Sequence, residues 1–109
     1  MKFESKYHQK HYEAWMLQSK HPEWGKNKFE NPLFKESRCY ACDEAYYASK
    51  ICYKDSNHMC KYCPIDWGAE FCTTYGSIYD DWKYEKDTKK SSELCVVIAN
   101  KEWKIKNNF

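Results

Sequence analysis

Two short cysteine pairs constrain this chain more than any other feature. Cys39-Tyr40-Ala41-Cys42 and Cys60-Lys61-Tyr62-Cys63 are separated by the seventeen residues 43–59. Two residues between cysteines let a tight turn aim both sulfurs at one point. Two such turns complete a tetrahedron, and the spacing is that of a four-cysteine zinc site. Zinc displaces the thiol protons and closes the intervening loop, so metal binding stabilises the fold directly. Cys39, Cys42, Cys60 and Cys63 are therefore the expected ligands of one structural Zn(2+). Four protein ligands leave no open position for a catalytic water. A thioredoxin-like redox pair competes with this reading, but it needs a βαβ context that the sequence does not offer. Four thiolates also suit an iron–sulfur cluster. Cys52 and Cys72 flank the second pair; either is a candidate to replace one of the four, or to join His58 in a second site of no standard spacing. Cys95, between Leu94 and Val96, reads as a buried thiol.

Seven cysteines in total favour metal over disulfides in a chain that is not exported. The start, Met1–Lys10, has no apolar leader, and the longest apolar run is Cys95–Ala99. The expectation is a cytoplasmic protein without a membrane span. At 109 residues the chain fits a single domain, 1–109.

The core must be unusual. Five Trp, ten Tyr and five Phe face only three Leu, five Ile and two Val. Rings must carry most of the burial, and each Tyr and Trp brings an O–H or N–H that needs a partner. Such a composition serves either a ring-built core or a contact surface.

Three segments follow. In 1–38, Glu4–Lys20 carries Tyr7, His11, Ala14, Trp15 and Gln18 at helical spacing, with Ser5 as N-cap and Pro22 and Gly25 beyond the end. Residues 25–38 read as a loop pinned by Trp24, Phe29, Leu33 and Phe34. Segment 39–72 is the cysteine-rich zinc-knuckle module. It has room for a short helix over Asp43–Lys50 and a turn at Asp55-Ser56-Asn57. Segment 73–109 places Tyr79, Trp82 and Lys83–Lys86 in a helix, then a polar break over Asp87–Ser91. Ser92 then caps a last helix, Glu93–Asn100, with Leu94, Val97 and Ile98 as its apolar stripe. The tail is basic, with Trp103 and Ile105 as anchors. The expected class is mostly α, any strands being short.

Function classes narrow by exclusion. No H-E-x-x-H, glycine-rich phosphate loop or G-x-S-x-G occurs, so no enzyme is expected. Asp66, Glu70, Asp80 and Asp81 read as a solvated face. His8 and His11 stand three apart on the first helix, a metal-compatible spacing that packed histidines explain more simply. The formal charge is +2, neither a polyanion nor a dense cation. The two arms are net basic, but residues 39–72 carry three basic and five acidic groups. That counts against a nucleic-acid-binding regulator, whose phosphate contacts would fall to Lys26, Lys28, Lys35, Arg38, Lys50, Lys54 and Lys61. A protein–protein interaction module fits better, with Tyr40, Tyr46, Tyr47, Tyr53, Tyr62 and Trp67 as expected exposed anchors.

One resemblance runs through most of the chain. His11-x-x-x-Trp15, His21-Pro22-Glu23-Trp24, Cys39-x-x-Cys42, Cys60-x-x-Cys63-Pro64-Ile65-Asp66-Trp67, Cys72 and the ending Ile98–Trp103 are together similar to small zinc-binding proteins of bacteriophages and prophages of Firmicutes. Cys60–Trp67 is its most specific piece. The resemblance implies a phage accessory protein in the host-cell cytoplasm and no reaction. By analogy it implies binding to a host protein, including inhibition of defence enzymes such as CRISPR nucleases (an anti-CRISPR or other anti-defence role).

Overall fold

The computed structural model describes residues 2–24, 31–33, 40–49 (side chains for 40–46), 62–68, 72 and 74–105. Among them are four helices and no strand, a mostly α fold: α1 Lys6–Ser19, α2 Tyr40–Ser49, α3 Ile78–Tyr84 and α4 Thr88–Ala99. None is long and apolar enough to cross a membrane.

Each well-capped start has a local cause. The Ser5 hydroxyl accepts from the His8 N–H at 3.1 Å, satisfying one of the orphan donors of α1. Ser77 does the same for α3, accepting from the Asp80 N–H at 3.0 Å. For α4 the cap is Asp87, whose Oδ1 accepts from the Lys90 N–H at 2.9 Å. The helix thus begins about one turn before the expected Ser92 cap, and the Asp87–Ser91 break is mostly helix. Helix α2 likewise starts at Tyr40, earlier than Asp43.

Helix α1 is the hub, packing against α4 and α2, while α3 packs on α4. Its buried face is Tyr7, His8, His11, Ala14, Trp15 and Gln18, the expected stripe with His8 added. On α4 the buried residues are Ser91, Cys95, Ile98 and Ala99, with Leu94 half-buried and Val97 exposed. The inward face is therefore turned away from the expected Leu94–Val97 line; Cys95 is buried as expected.

The core is built of rings. Trp15, Trp67, Trp82 and Trp103 join Tyr7, Tyr40, Ile65, Ile98 and small residues in one buried cluster. Trp15 meets Trp82 edge-to-face, centroids 4.8 Å apart at 81°. Tyr79 meets Trp67 at 6.0 Å and 82°. Such T-shaped pairs favour the positive ring edge against the negative face, adding about 0.5–1.5 kcal/mol beyond area burial.

Backbone hydrogen bonds hold the 62–68 segment against this core. The Pro64 carbonyl accepts from the Lys104 N–H at 2.9 Å, and the Trp67 carbonyl from the Ile78 N–H at 3.2 Å. Pro64, Ile65 and Trp67 are buried while Asp66 is exposed. The Asp66 carboxylate accepts from the Gly68 N–H at 2.9 Å. Gly68 has φ +78°, a region that costs other residues steric strain. Proline, the two apolar anchors and the Asp-x-Gly turn therefore each have a local structural task.

The tail is anchored by Trp103, which is buried, whereas Ile105 is exposed. Leu33 is exposed as well, so the 31–33 loop is fastened differently from expectation. The buried Asn31 amide donates to the Ala14 carbonyl, and its Oδ1 accepts from the Leu33 N–H at 2.9 Å. Trp24 stacks on His21 at 4.1 Å; Phe29 and Phe34 lie outside the described residues.

Candidate functional site

Four of the seven cysteines fall among the described residues. Cys42 sits in the first turn of α2, and Cys63 immediately precedes the pinned Pro64–Trp67 stretch; both are half-buried. Cys63 and Cys72 both pack against the aromatic cluster. Cys95 is 1% exposed, its place a core position. Cys39, Cys52, His58 and Cys60 lie outside the described residues. Among the described residues alone, no three His, Cys, Asp or Glu side chains converge as a metal cluster.

The rings expected as exposed anchors are distributed otherwise. Tyr40 and Trp67 are 4% and 6% exposed, both inside the core. With so few aliphatic residues, rings that elsewhere would form contact surfaces are consumed as core. The Tyr40 hydroxyl donates to the Leu33 carbonyl, which makes its burial tolerable. Burial, then the nearby Asp43 and Glu13 carboxylates, raise its phenol pKa. Tyr46 and Tyr62 are half-buried. The Tyr47 side chain and Tyr53 lie outside the described residues, as do all seven cations assigned to the nucleic-acid reading.

His8, His11, Glu44 and Trp103 form a buried polar seam between α1, α2 and the tail. His8 Nδ1 accepts from the Glu4 N–H at 2.9 Å. His11 Nε2 donates to the Ile98 carbonyl at 3.0 Å, an assignment that follows because a carbonyl only accepts. Among the described residues, His8 Nε2 and His11 Nδ1 have no hydrogen-bond partner. His8 stacks on Trp103 at 4.9 Å and 10°, and His11 is tilted to the same indole at 5.2 Å. The Glu44 carboxylate accepts from the Trp103 indole N–H at 3.1 Å and from the Ser5 hydroxyl. Burial pushes the His11 pKa down to about 4, against the raising effect of the Ile98 carbonyl and with help from His8. Burial also lowers His8, opposed by Glu4 and Glu44. Neutral, ring-packed imidazoles account for the three-residue spacing.

A second feature was not visible in the sequence. Between α3 and α4 lies an open groove of about 1030 Å³, lined by Tyr75, Asp80, Asp81, Tyr84, Glu85, Lys90, Glu93, Leu94 and Val97. Tyr75 is 93% and Tyr84 69% exposed. Positions 90, 93, 94 and 97 fall on one face of α4, and 80, 81 and 84 on one face of α3. The sequence held one local signal: Tyr75 precedes Gly76, whose φ of +91° marks a turn that holds a ring at the surface. No protein-family model, curated protein or solved structure matches the chain.

Proposed function

We propose that this chain is a small zinc-stabilised binding module that acts through contact with a protein partner. The observation that carries the reading is the α3–α4 groove. Tyr75, Tyr84 and Val97 stay exposed there in a chain that buries four of its five tryptophans. Exposed tyrosines grouped in a concavity are the usual anchors of protein contacts. The phage-type resemblance directs the search toward host or defence enzymes as partners, inhibited by occupancy rather than by chemistry.

In this reading Cys39, Cys42, Cys60 and Cys63 hold one structural Zn(2+). Support comes from Cys42 and Cys63, both half-buried, Cys42 near a helix start and Cys63 packed against the core beside a pinned segment. The metal would join the two and stiffen everything between them.

Two experiments test the reading. Immobilised chain is expected to retain a stoichiometric partner from host lysate, and retention of none refutes the binding module. Elemental analysis is expected to give about one zinc per chain, with chelator lowering the melting temperature. Folded, metal-free protein refutes the metal centre. Cys63→Ser should lose zinc and Cys95→Ser should keep it.

A further inference from the structure

Four carboxylates, Asp80, Asp81, Glu85 and Glu93, line the α3–α4 groove against a single cation, Lys90. The lining side chains sum to a formal charge of −3, in a chain whose formal charge is +2, with Lys83 beside the groove over the Tyr84 ring. Asp80, Asp81 and Glu93 form no ion pair among the described residues. Carboxylates such as Asp80 and Asp81 are ordinary on a solvated face; what sets these apart is that they line the same groove as exposed apolar and ring surface. Leu94 and Val97 supply the apolar floor, and Tyr75 and Tyr84 the ring faces. The Lys83 ammonium stands over the Tyr84 ring at 5.7 Å, so this ring already takes a cation on its face, and an incoming guanidinium would replace Lys83 or use the opposite face.

From this arrangement we infer that the groove receives a basic amphipathic segment of a protein partner. The inference rests on the binding-module reading and names the chemistry of its occupant. Arginine matches both halves of the site. Its planar guanidinium forks onto carboxylates and stacks on tyrosine, whereas lysine does only part of this. Leucine- or valine-sized side chains at helical spacing fill the floor over Leu94 and Val97. Helix α4, twelve residues long, spans about 18 Å at 1.5 Å per residue, room for three to four turns of an aligned helix. Nucleic acid is the wrong occupant, since its phosphates would meet the carboxylates.

The test uses the full chain and a fluorescein-labelled helical 18-mer with Arg on one face and Leu on the other. A second peptide carries Glu in place of each Arg. Fluorescence anisotropy at 50 mM salt should give saturable binding of the Arg peptide only. Affinity should fall at least tenfold at 300 mM salt. It should also fall at least tenfold in Tyr84→Ser and in Asp81→Asn/Glu93→Gln, with unchanged circular dichroism. Leu33→Ser, an exposed apolar position elsewhere, is the control and should bind normally. Equal binding of both peptides, or no effect of the groove substitutions, overturns the inference. So does a dimer in sedimentation velocity that the same substitutions abolish, because the occupant is then a second copy. Capture of the same lysate partner by wild type and Tyr84→Ser alike removes the groove while leaving the binding module standing.

Discussion

His11 gives the sharpest prediction because its environment fixes both sign and size. The imidazole is 1% exposed and is held neutral with its pKa lowered from 6.5 to about 4. In the unfolded chain it titrates normally. Between those values the unfolded state binds the extra proton, so stability rises with pH across this window. The His11 contribution is complete above about pH 6.5 and is lost as pH falls toward 4. A separation of about 2.5 units at 1.36 kcal/mol per unit makes the loss about 3 kcal/mol. A small domain with 5–15 kcal/mol in total would lose a large share of it. Urea denaturation at pH 7, 6, 5 and 4 should show this slope in wild type. His11→Gln, starting lower because the Ile98 carbonyl contact is altered, should show a shallower one. The lowered His8 also destabilises in acid, and it is present in both proteins, so the difference between the two slopes reports His11 together with its coupling to His8. Nitrogen-detected histidine spectra give the direct readout. A His11 ring that titrates near 6.5 in folded protein, or identical slopes in the two proteins, refutes the reasoning.

Other substitutions follow from the packing. Trp103→Ala removes a 5%-exposed indole and should cost about 3–5 kcal/mol in urea denaturation. Trp103→Phe keeps most of the packing and loses chiefly the bond to the buried Glu44 carboxylate, about 1.5–3 kcal/mol. Asp87→Ala removes the α4 cap and should cost about 1 kcal/mol, whereas Ser92→Ala should be close to neutral by the same measurement.

The parts of the fold legible in the sequence are those with local causes. Helix α1 follows from Ser5 and a clean period of Tyr7, His11, Ala14, Trp15 and Gln18. The helical class and the buried Cys95 were equally readable. Where two caps compete, as Asp87 and Ser92 do, local chemistry does not choose. The longer α4 is the one formed: Asp87 caps it, and Ser91 lies buried one turn before Cys95, on the same face. The same tertiary choice leaves Val97 outside and so creates the groove floor. Tyr40 and Trp67 show the limit of composition. Their type favours interfaces, but the shortage of aliphatics draws them inward. The groove was illegible because its acids and rings come from two helices and a turn, and only packing brings them together. Of the cysteine site, Cys42 and Cys63 are placed; the other two expected ligands lie outside the described residues.

The bond from His11 to the Ile98 carbonyl joins residues 87 positions apart, and Glu44 meets Trp103 across 59. A helical protein with such long closures is not built like a bundle of sequential hairpins. Its folding rate is expected to be set by the encounter of α1 with α4, a non-local event slower than helix formation. Closing so long a loop also carries an entropic cost that grows with its length. A crosslink in the middle of the chain shortens that loop before the encounter. Metal bound early at the central cysteines would then act on the folding rate as well as on the final stability.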